Sequence, residues 1–315
     1  MIVNLLLTVD VDNDGIALNN ERNELSWRAI ARIPDIKRVF DEFGAVVTWF
    51  VRADDQLRAI YGSAAYLHIE HCGLWRDLAT AGDEIGWHPH LYAWDEARRA
   101  YLVDTDEIRC AMKLRSIHNE LRARSLSFDS VLVGEAFHGN ALMRALCELG
   151  LKVDTTAIPG RRRADKARIF DWSSTPNEPY YPSTTDYRVP GEQGQRLPIL
   201  EVPLTTMPVR AGYDAAPLKR YINLTYHHAL FKAGFDAHLK DETRASREEL
   251  YVTTILHPEE VCARSDAHPL YSYSLAEARR NLNYMLDAIR AFDSEVRFLR
   301  MSDASGAARG GGGCA

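Results

Sequence analysis

The sequence predicts an α/β fold, a distorted (β/α) barrel built from seven to eight parallel strands. Apolar segments of strand length alternate with segments whose apolar residues recur at helical spacing, which is typical of a parallel sheet covered by helices. No glycine-rich phosphate loop follows the first strand, so a barrel is favoured over an open doubly wound sheet. The 315 residues suffice for one such barrel, since barrels of this type hold roughly 250 residues.

The predicted strands are short apolar segments. The first of them, residues 2–9, is rich in leucine and β-branched residues, as expected of a strand that is buried on both faces. In chain order, strands are predicted at residues 2–9, 45–51, 83–88, 131–133, 151–154, 196–204, 250–256 and 296–299.

The predicted helices have apolar residues three or four positions apart. Gly44, Gly82 and Gly150 follow three of them, and glycine is typical of a helix C-terminus. Ser274 followed by Glu277 forms a capping box that begins the last helix. Helices are predicted at residues 33–43, 74–81, 106–124, 141–149 and 275–292.

The chain is expected to be a single domain, residues 1–303, followed by a flexible glycine-rich tail, residues 304–315. Residues 165–195 are rich in Pro, Tyr, Ser and Gly and are predicted to form a long irregular loop. Loops of that length in a compact domain are often functional.

Composition disfavours nucleic-acid and membrane partners. The net charge is −6, and the one basic cluster, residues 161–168, is interpreted as a solvated loop because it is too short for a nucleic-acid surface. The N-terminal segment lacks the basic region of a signal peptide, and no apolar stretch is long enough to span a bilayer. Five scattered cysteines without a CxxC motif suit a reducing compartment. We therefore expect a cytoplasmic protein.

Two carboxylates follow the first predicted strand. Asp10 and Asp12 point to the same face of an extended chain because side chains alternate with a period of two. At the carboxyl end of a barrel strand, one carboxylate can bind a metal ion while the other takes a proton from water. Residues 10–21 also match a calcium-binding EF-hand loop, but a strand rather than a helix precedes them. Acidic residues that merely form a turn are the other alternative.

Histidines follow two further predicted strands. His88 and His90 are two residues apart, so both imidazoles can converge on one point. Imidazole together with carboxylate suits zinc or another first-row divalent ion. His257 ends the apolar strand at residues 250–256. Each histidine alone could be a structural or surface residue, but three strands that each end in Asp or His indicate a common site.

Six motifs, in the same order, resemble those of the NodB-type polysaccharide deacetylases, a carbohydrate esterase family. The resemblance spans about residues 2–300, and it is carried by the order of the motifs because each motif is short. The motifs are Thr8-Val-Asp10-Val-Asp12, Thr48-Trp-Phe-Val51, Glu84-Ile-Gly-Trp-His88, the helix–strand unit at 142–156, Ile199-Leu-Glu201-Val-Pro203 and Leu256-His257-Pro258.

The resemblance implies a hydrolase that binds one divalent metal ion, usually zinc, and cleaves an N-acetyl group to acetate and an amine. By the matching motifs, Asp12 and His88 would be metal ligands and Asp10 the general base. His257 would be the general acid that protonates the departing amine. The metal ion would polarise the amide carbonyl and lower the pKa of its water.

The sequence departs from the family pattern at two places. The second histidine of the family usually lies four residues after the first, where this chain has Tyr92. His90 is the candidate that replaces it as a ligand, as in family members with an H-x-H variant. The family arginine that orients the catalytic aspartate is absent near residues 132–135. His138 is a candidate polar contact nearby, with a position in a helix-entry loop as the alternative.

The expected substrate is a small N-acetylated carbohydrate or glycoside. Trp172, Tyr180 and Tyr181 lie in the long predicted loop and are candidates to stack on a sugar ring. Tyr92 and His138 complete the candidate substrate-binding set. An aromatic flap that packs on the barrel rim is the open alternative for the loop residues.

Two other functions remain open from the sequence. A metal-independent cyclic-amide hydrolase, like the allantoinase-type relatives of the family, is kept open by the altered second histidine. A non-catalytic sugar-binding protein on the same fold would lack both metal and turnover. Retention of Asp10, Asp12, His88 and His257 together disfavours the second, because ionisable groups are costly to bury.

Overall fold

A computed structural model of the chain describes residues 1–15, 25–165, 168–243 and 248–306. The second half of the acidic pattern at residues 10–21, Lys166 of the basic cluster and residues 307–315 of the predicted tail lie outside the described residues. Ala304, which the sequence assigns to the tail, is fully buried. The division of the chain after residue 303 stays a prediction.

In the described part of the chain, eight parallel strands form one curled sheet, and three antiparallel hairpins accompany it. The strands are β1 (Ile2–Val11), β2 (Val47–Arg52), β3 (Glu84–His88), β4 (Tyr92–Asp95), β5 (Ala100–Val103), β6 (Ser130–Val131), β7 (Val153–Asp154), β8 (Arg162–Ala164), β9 (Ile169–Asp171), β10 (Leu200–Glu201), β11 (Thr206–Val209), β12 (Leu218–Tyr221), β13 (Glu249–Leu256) and β14 (Glu295–Phe298).

The strand order in the sheet is β10-β7-β6-β3-β2-β1-β13, and β14 pairs with the first half of β1. Beyond β13, Ile222 forms a parallel bridge with Thr254, and its backbone N–H donates to the Thr205 carbonyl at 2.9 Å. These contacts continue the curl from β13 towards β10. The predicted distorted barrel is therefore confirmed, and its parallel strands bring their carboxyl ends to one mouth.

Several helices begin or end at residues that the local sequence indicates. Ser274 Oγ accepts a hydrogen bond from Glu277 N at 3.3 Å, which caps the last helix. Gly44 and Gly82 adopt φ values of +67° and +97° after the helices they terminate. Within the described residues, no helix is both long enough and apolar enough to cross a membrane. The helices are α1 (Ile33–Asp41), α2 (Asp55–Tyr61), α3 (Tyr66–Glu70), α4 (Cys72–Thr80), α5 (Glu107–Ala123), α6 (Asn140–Glu148), α7 (His228–Thr243) and α8 (Leu275–Arg290).

The structure contains elements that the sequence pattern did not predict. The three hairpins and α7 are among them, and the strand predicted at residues 196–204 is reduced to the two residues of β10. Gly234 weakens the helical pattern of α7, since glycine disfavours a helix interior. Glycine fits this position because α7 packs closely on β11. A Cβ at residue 234 would lie 3.0 Å from both Met207 Sδ and the Pro208 carbonyl oxygen.

Strand β1 lies inside the sheet and is buried along nearly its whole length. Leu5, Leu7 and Val9 belong to the largest apolar cluster and are at most 1% exposed. Fully burying one such side chain contributes roughly 1.5–3 kcal/mol relative to leaving it exposed. Asp10 and Asp12 therefore follow a strand that is firmly held by its neighbours.

Candidate active site

Three strands bring the predicted site residues together at the mouth of the barrel. Asp10 and Asp12 lie at the end of β1, His88 ends β3, and His257 directly follows β13. His90 stands two residues beyond β3 and lines the same cleft as the other four. The convergence that the sequence predicted is therefore present, because parallel neighbouring strands end at the same edge.

Asp12, His88 and His90 form a group whose ligand atoms all lie within 4.8 Å of one another. Asp12 Oδ2 is 3.1 Å from His90 Nε2, which is 3.0 Å from His88 Nε2. One carboxylate and two imidazoles are a typical donor set for zinc. Two ligand nitrogens at this separation can share an ion that lies about 2.0–2.1 Å from each.

The outer hydrogen bonds of the two histidines direct their Nε2 lone pairs inwards. His88 Nδ1 lies 2.7 Å from the Leu132 carbonyl oxygen, which can only accept, so Nδ1 carries the proton. Burial lowers the pKa of His88 to about 3, so this ring is neutral. Tyr92 donates to Glu135 Oε1 at 2.7 Å, so its oxygen accepts from His90 Nδ1 at 2.8 Å. Two ring nitrogens and a carboxylate oxygen then face one another, and a divalent ion bound between them would satisfy all three.

Tyr92 is not among the residues that line the described cleft, and its contact with a substrate stays a prediction. It lies behind His90 and joins this ring to Glu135. Such a partner on the outer nitrogen fixes the tautomer and the orientation of a metal-binding imidazole. Tyr92 thus fixes the ring of His90, one of the three candidate ligands.

Arg52, at the end of β2, is a site residue that the sequence reasoning missed. Its guanidinium is 1% exposed and donates through one terminal nitrogen to Asp12 Oδ1 at 3.0 Å and to Asn13 Oδ1 at 2.6 Å. Nε donates to Asp54 at 2.5 Å, and the other terminal nitrogen bonds Gln56. Although burial alone would raise the pKa of Asp12, His90 and Arg52 hold it well below its usual value.

Asp10 is buried beside the three candidate ligands but differs from Asp12 in its surroundings. Its Oδ2 is 3.9 Å from His88 Nε2 and 3.9 Å from His257 Nε2. Among the described residues, its Oδ1 has no hydrogen-bond partner. Burial raises the pKa of Asp10 to about 7, against the opposing charge of His257. This carboxylate is thus the less solvated of the two and is free to accept a proton.

His257 is held by Glu260, a second site residue that the sequence reasoning missed. The two side chains are 3.2 Å apart between Nδ1 and Oε1, and Glu260 also accepts from the His257 backbone N–H at 2.9 Å. Burial alone would lower the pKa of His257, but Glu260 and Asp10 raise it well above its usual value. The sequence did contain a signal for this contact. Glu260 follows His257 by three residues, and the short 3-10 turn Pro258–Val261 brings residues at that spacing together.

Three of the predicted substrate-binding residues are packed in the core. His138, Trp172 and Tyr180 are 0–5% exposed and do not line the cleft. His138 Nε2 lies 2.8 Å from Asp154 Oδ2, and its ring packs against Trp172. Tyr181 is partly buried and lies under Arg196, also away from the cleft. These contacts match the open alternative, in which the loop packs on the barrel, and contact of these side chains with a sugar stays a prediction.

The cleft has a basic wall that the sequence reasoning did not place there. Arg161, Arg163 and Arg168 line it opposite residues of β1 and β3, together with Phe170 and Tyr221. All three arginines belong to the basic cluster that the sequence analysis interpreted as a solvated loop. Arg163 and Arg168 remain 39% and 36% exposed, so the cluster is partly solvated and also lines the cleft.

The calcium-loop alternative is not supported by the described residues of the pattern. Strand β1, not a helix, precedes Asp10. Asp14 accepts hydrogen bonds from Ser26 Oγ and from the backbone N–H groups of Arg28 and Ala29. Its carboxylate thus holds the start of the short helical turn at Arg28–Arg32.

No protein-family model and no curated protein matches the chain. Among solved structures, a predicted polysaccharide deacetylase from Mycobacterium smegmatis has a TM-score of 0.52 and 17% identity, over 98% of this chain and 91% of that chain. A predicted polysaccharide deacetylase involved in O-antigen biosynthesis from Bordetella bronchiseptica has a TM-score of 0.37 and 13% identity, over 97% and 90%. A mutant CE4-family pseudoenzyme with restored activity has a TM-score of 0.37 and 11% identity, over 94% and 64%. The first likeness identifies the fold of this chain as that of the polysaccharide deacetylases.

Proposed function

We propose that this protein is a metal-dependent hydrolase that removes an N-acetyl or related N-acyl group from a sugar or a sugar-containing intermediate, releasing an acid such as acetate and a free amine. The observation that carries the proposal is the convergence of Asp12, His88 and His90 on one point. Asp10 and His257 lie beside that point. A metal ligand set with an acid and a base beside it is the arrangement that amide hydrolysis needs.

Asp12, His88 and His90 would hold the ion. Their donor set and the inward lone pairs of both imidazoles fit zinc or a similar divalent ion. When bound, that ion supplies a Lewis acid that polarises the amide carbonyl and lowers the pKa of water. Arg52 keeps Asp12 ionised and oriented, and Tyr92 does the same for the ring of His90.

Asp10 is assigned as the general base. Its Oδ1 is buried and has no hydrogen-bond partner among the described residues, so a water in the cleft would offer it a hydrogen bond. The carboxylate lies close to the candidate ligands without belonging to the group that could hold the ion. Asp10 can thus take the proton of the attacking water as the bond to the carbonyl carbon forms.

His257 is assigned as the general acid. Its partner Glu260 stabilises the protonated imidazole, and Nε2 faces Asp10 across 3.9 Å. When the carbon–nitrogen bond breaks, Nε2 can give its proton to the departing amine, which is a poor leaving group without it. The base and the acid thus come from β1 and from the residue after β13, two neighbouring parallel strands.

Two features support this proposal over the alternatives. The facing lone pairs of His88 and His90 favour a metal-dependent site over a metal-independent cyclic-amide hydrolase. A buried carboxylate oxygen without a hydrogen-bond partner, such as Asp10 Oδ1, is costly, and a non-catalytic sugar-binding protein would gain nothing from it. The name of the Mycobacterium smegmatis neighbour supports a carbohydrate substrate. The unpaired state of the four described cysteines is compatible with action in the cytoplasm.

The test is the metal content and the acetate release of the purified full-length protein. We expect about one equivalent of zinc or a similar ion, as in other sites of this type, and acetate release from an N-acetyl sugar. Asp12→Asn and His88→Ala should lose both metal and activity. Asp10→Asn should keep the metal and lose activity, which separates the base from the ligands.

His71→Ala is the matched control, since His71 lies at the start of α4 and away from the cleft. It should leave metal content and turnover unchanged. A wild-type protein that cannot be loaded with a divalent ion would overturn the ligand assignment. Metal loss in Asp10→Asn as complete as in Asp12→Asn would overturn the division of roles between the two carboxylates.

A further inference from the structure

Three arginines of the cleft stand within eight positions of one another on and around the hairpin β8–β9. Arg161 precedes β8, Arg163 lies in it and Arg168 precedes β9, and all three line the cleft that contains the candidate metal ligands. Arg162, between the first two, points away and has a side chain that is 71% exposed. The alternation of a strand thus separates the cleft arginines from a solvent-exposed neighbour.

The described contacts of these arginines leave donors available. Arg163 pairs with Asp165 and Arg168 with Glu135, each through Nε. Glu135 also accepts from Tyr92, so its charge is shared between two partners. Within the described residues, neither pair engages the terminal NH2 groups, which are the groups that bind phosphate or carboxylate oxygens in pairs.

Arg161 is not neutralised by a described carboxylate. Its terminal nitrogen donates to the carbonyl oxygen of Lys219 at 2.5 Å, a neutral partner. Burial and the nearby Arg220 lower the pKa of Arg161, which indicates a partly desolvated cation among like charges. A half-buried guanidinium without a counter-ion is costly, and an anionic ligand would remove that cost.

A neutral N-acetyl sugar would not use this wall. Sugar hydroxyls are satisfied by single hydrogen bonds, whereas three guanidinium groups that keep terminal donors beyond their described contacts match an anion with several oxygens. Phosphate fits better than carboxylate because it offers more oxygens and more charge to three cations. The three arginines line the same cleft as Asp10 and His88. An anionic group that they bind would therefore be part of the substrate and not a separate ligand.

We propose that the substrate is a phosphorylated N-acetyl sugar, whose phosphate group is bound by Arg161, Arg163 and Arg168 while its amide lies at the candidate metal site. The placement of the amide at the candidate metal site rests on the proposed function. The binding of phosphate by the three arginines does not depend on it. A sugar 1-phosphate and a nucleoside-diphosphate sugar present the same phosphate oxygens to the wall, and the test includes both.

The first experiment measures binding of glucose 1-phosphate, which carries the phosphate but no amide, to the full-length protein by calorimetry. Glucose is the neutral comparison. Arg161→Gln, Arg163→Gln and Arg168→Gln should each weaken glucose 1-phosphate binding by about tenfold or more, since each removes charge-assisted hydrogen bonds. Arg162→Gln, the matched control on the same hairpin, should stay within about twofold. Arg161→Lys should weaken glucose 1-phosphate binding less than Arg161→Gln does, because lysine keeps the positive charge.

Equal binding of glucose and glucose 1-phosphate would overturn the inference. So would a loss in Arg162→Gln as large as in Arg161→Gln, because it would indicate a diffuse charge effect. A thermal melt of each variant should match that of the wild type, which excludes loss of folding as the cause.

The second experiment compares kcat/KM for N-acetylglucosamine, its 1-phosphate and the uridine-diphosphate sugar. We expect one of the phosphorylated compounds to be preferred over the neutral sugar, Arg161→Gln to remove that preference, and the control Arg162→Gln to keep it. Faster hydrolysis of the neutral sugar would overturn the inference but keep the deacetylase proposal. Arginine-dependent phosphate binding without hydrolysis of any compound would keep the anion site and overturn the proposed function.

Discussion

Single residues behind Asp12, His88 and His90 decide how well the candidate metal site is formed. Arg52 is buried and joins Asp12 to Asp54, so it fixes the carboxylate that faces His90. Its planar fork serves several acceptors at once, which the single ammonium group of lysine does not do. Arg52 is a single charged residue at the end of a strand. Because it belongs to no periodic sequence pattern, its role could not be predicted from the sequence.

We expect Arg52→Lys to lower the affinity for zinc by about 10–100-fold, as is usual when a residue that orients a metal ligand is changed. Competition with a chelator measures the affinity. Arg58→Lys is the matched control, because Arg58 pairs with Asp55 and Glu120 on a partly exposed helix. An unchanged affinity in Arg52→Lys would indicate that Asp12 is oriented without the guanidinium.

Gly134 is the residue that leaves room for His90. A Cβ at this position would lie 2.5–2.6 Å from Cδ2, Cγ and Nε2 of the imidazole. The backbone of Gly134 is fixed by a hydrogen bond from its N–H to the Pro89 carbonyl at 2.9 Å. We expect Gly134→Ala to displace the ring, to lower zinc affinity by about tenfold or more and to cost roughly 1–3 kcal/mol in stability.

Gly212→Ala is the control for this substitution, since its added Cβ would meet Pro269 at an ordinary 3.7 Å. Zinc titration and thermal melting of both variants provide the comparison. Full zinc affinity in Gly134→Ala would contradict the close approach between Gly134 and His90.

At the scale of elements, the strand pair β7–β10 carries two buried acidic residues side by side. Asp154 and Glu201 are register partners and are fully buried. Burial and the neighbouring Asp154 raise the pKa of Glu201 well above its usual value, which favours the protonated form of Glu201. Its Oε1 accepts from the Ala157 N–H at 3.0 Å. On the other side of the pair, His138 Nε2 lies 2.8 Å from Asp154 Oδ2.

We expect Glu201→Gln to cost less than about 1 kcal/mol in the free energy of unfolding, because the amide keeps one acceptor and one donor in the same shape. Glu201→Ala should cost about 2–4 kcal/mol, since it leaves a cavity and removes the partner of Asp154. Urea denaturation of both variants measures the difference. Equal destabilisation by the two substitutions would contradict a protonated Glu201.

The strands and their terminal residues could be predicted from the sequence because both depend on local pattern. Asp10, His88 and His257 each follow an apolar run, and parallel pairing brings such residues to one edge. Arg52 and Arg161 could not be assigned in this way, since their roles depend on which chain segments fold against them. The sequence could not decide between packing and sugar contact for the loop aromatics for the same reason, because an aromatic side chain suits a core and a sugar site equally.

At the scale of the whole molecule, buried histidines make folding stability depend on pH. His68, in α3, and His238, in α7, are each 5% exposed, and burial lowers the pKa of each to about 4. In the unfolded chain a histidine has a pKa of about 6.5. The unfolded state therefore binds protons that the folded state does not bind between about pH 6.5 and pH 4.

The sign follows from this difference in proton binding. The stabilisation is fully present above about pH 6.5 and is lost as the pH falls towards 4, by roughly 3 kcal/mol for each histidine. We expect the free energy of unfolding, measured by urea denaturation at a series of pH values, to fall steeply over this range. His68→Asn should reduce this fall in the free energy of unfolding by the contribution of one histidine, because asparagine does not titrate. His227→Asn, at an exposed position, should leave the slope unchanged, and an equal slope in His68→Asn would contradict a neutral buried His68.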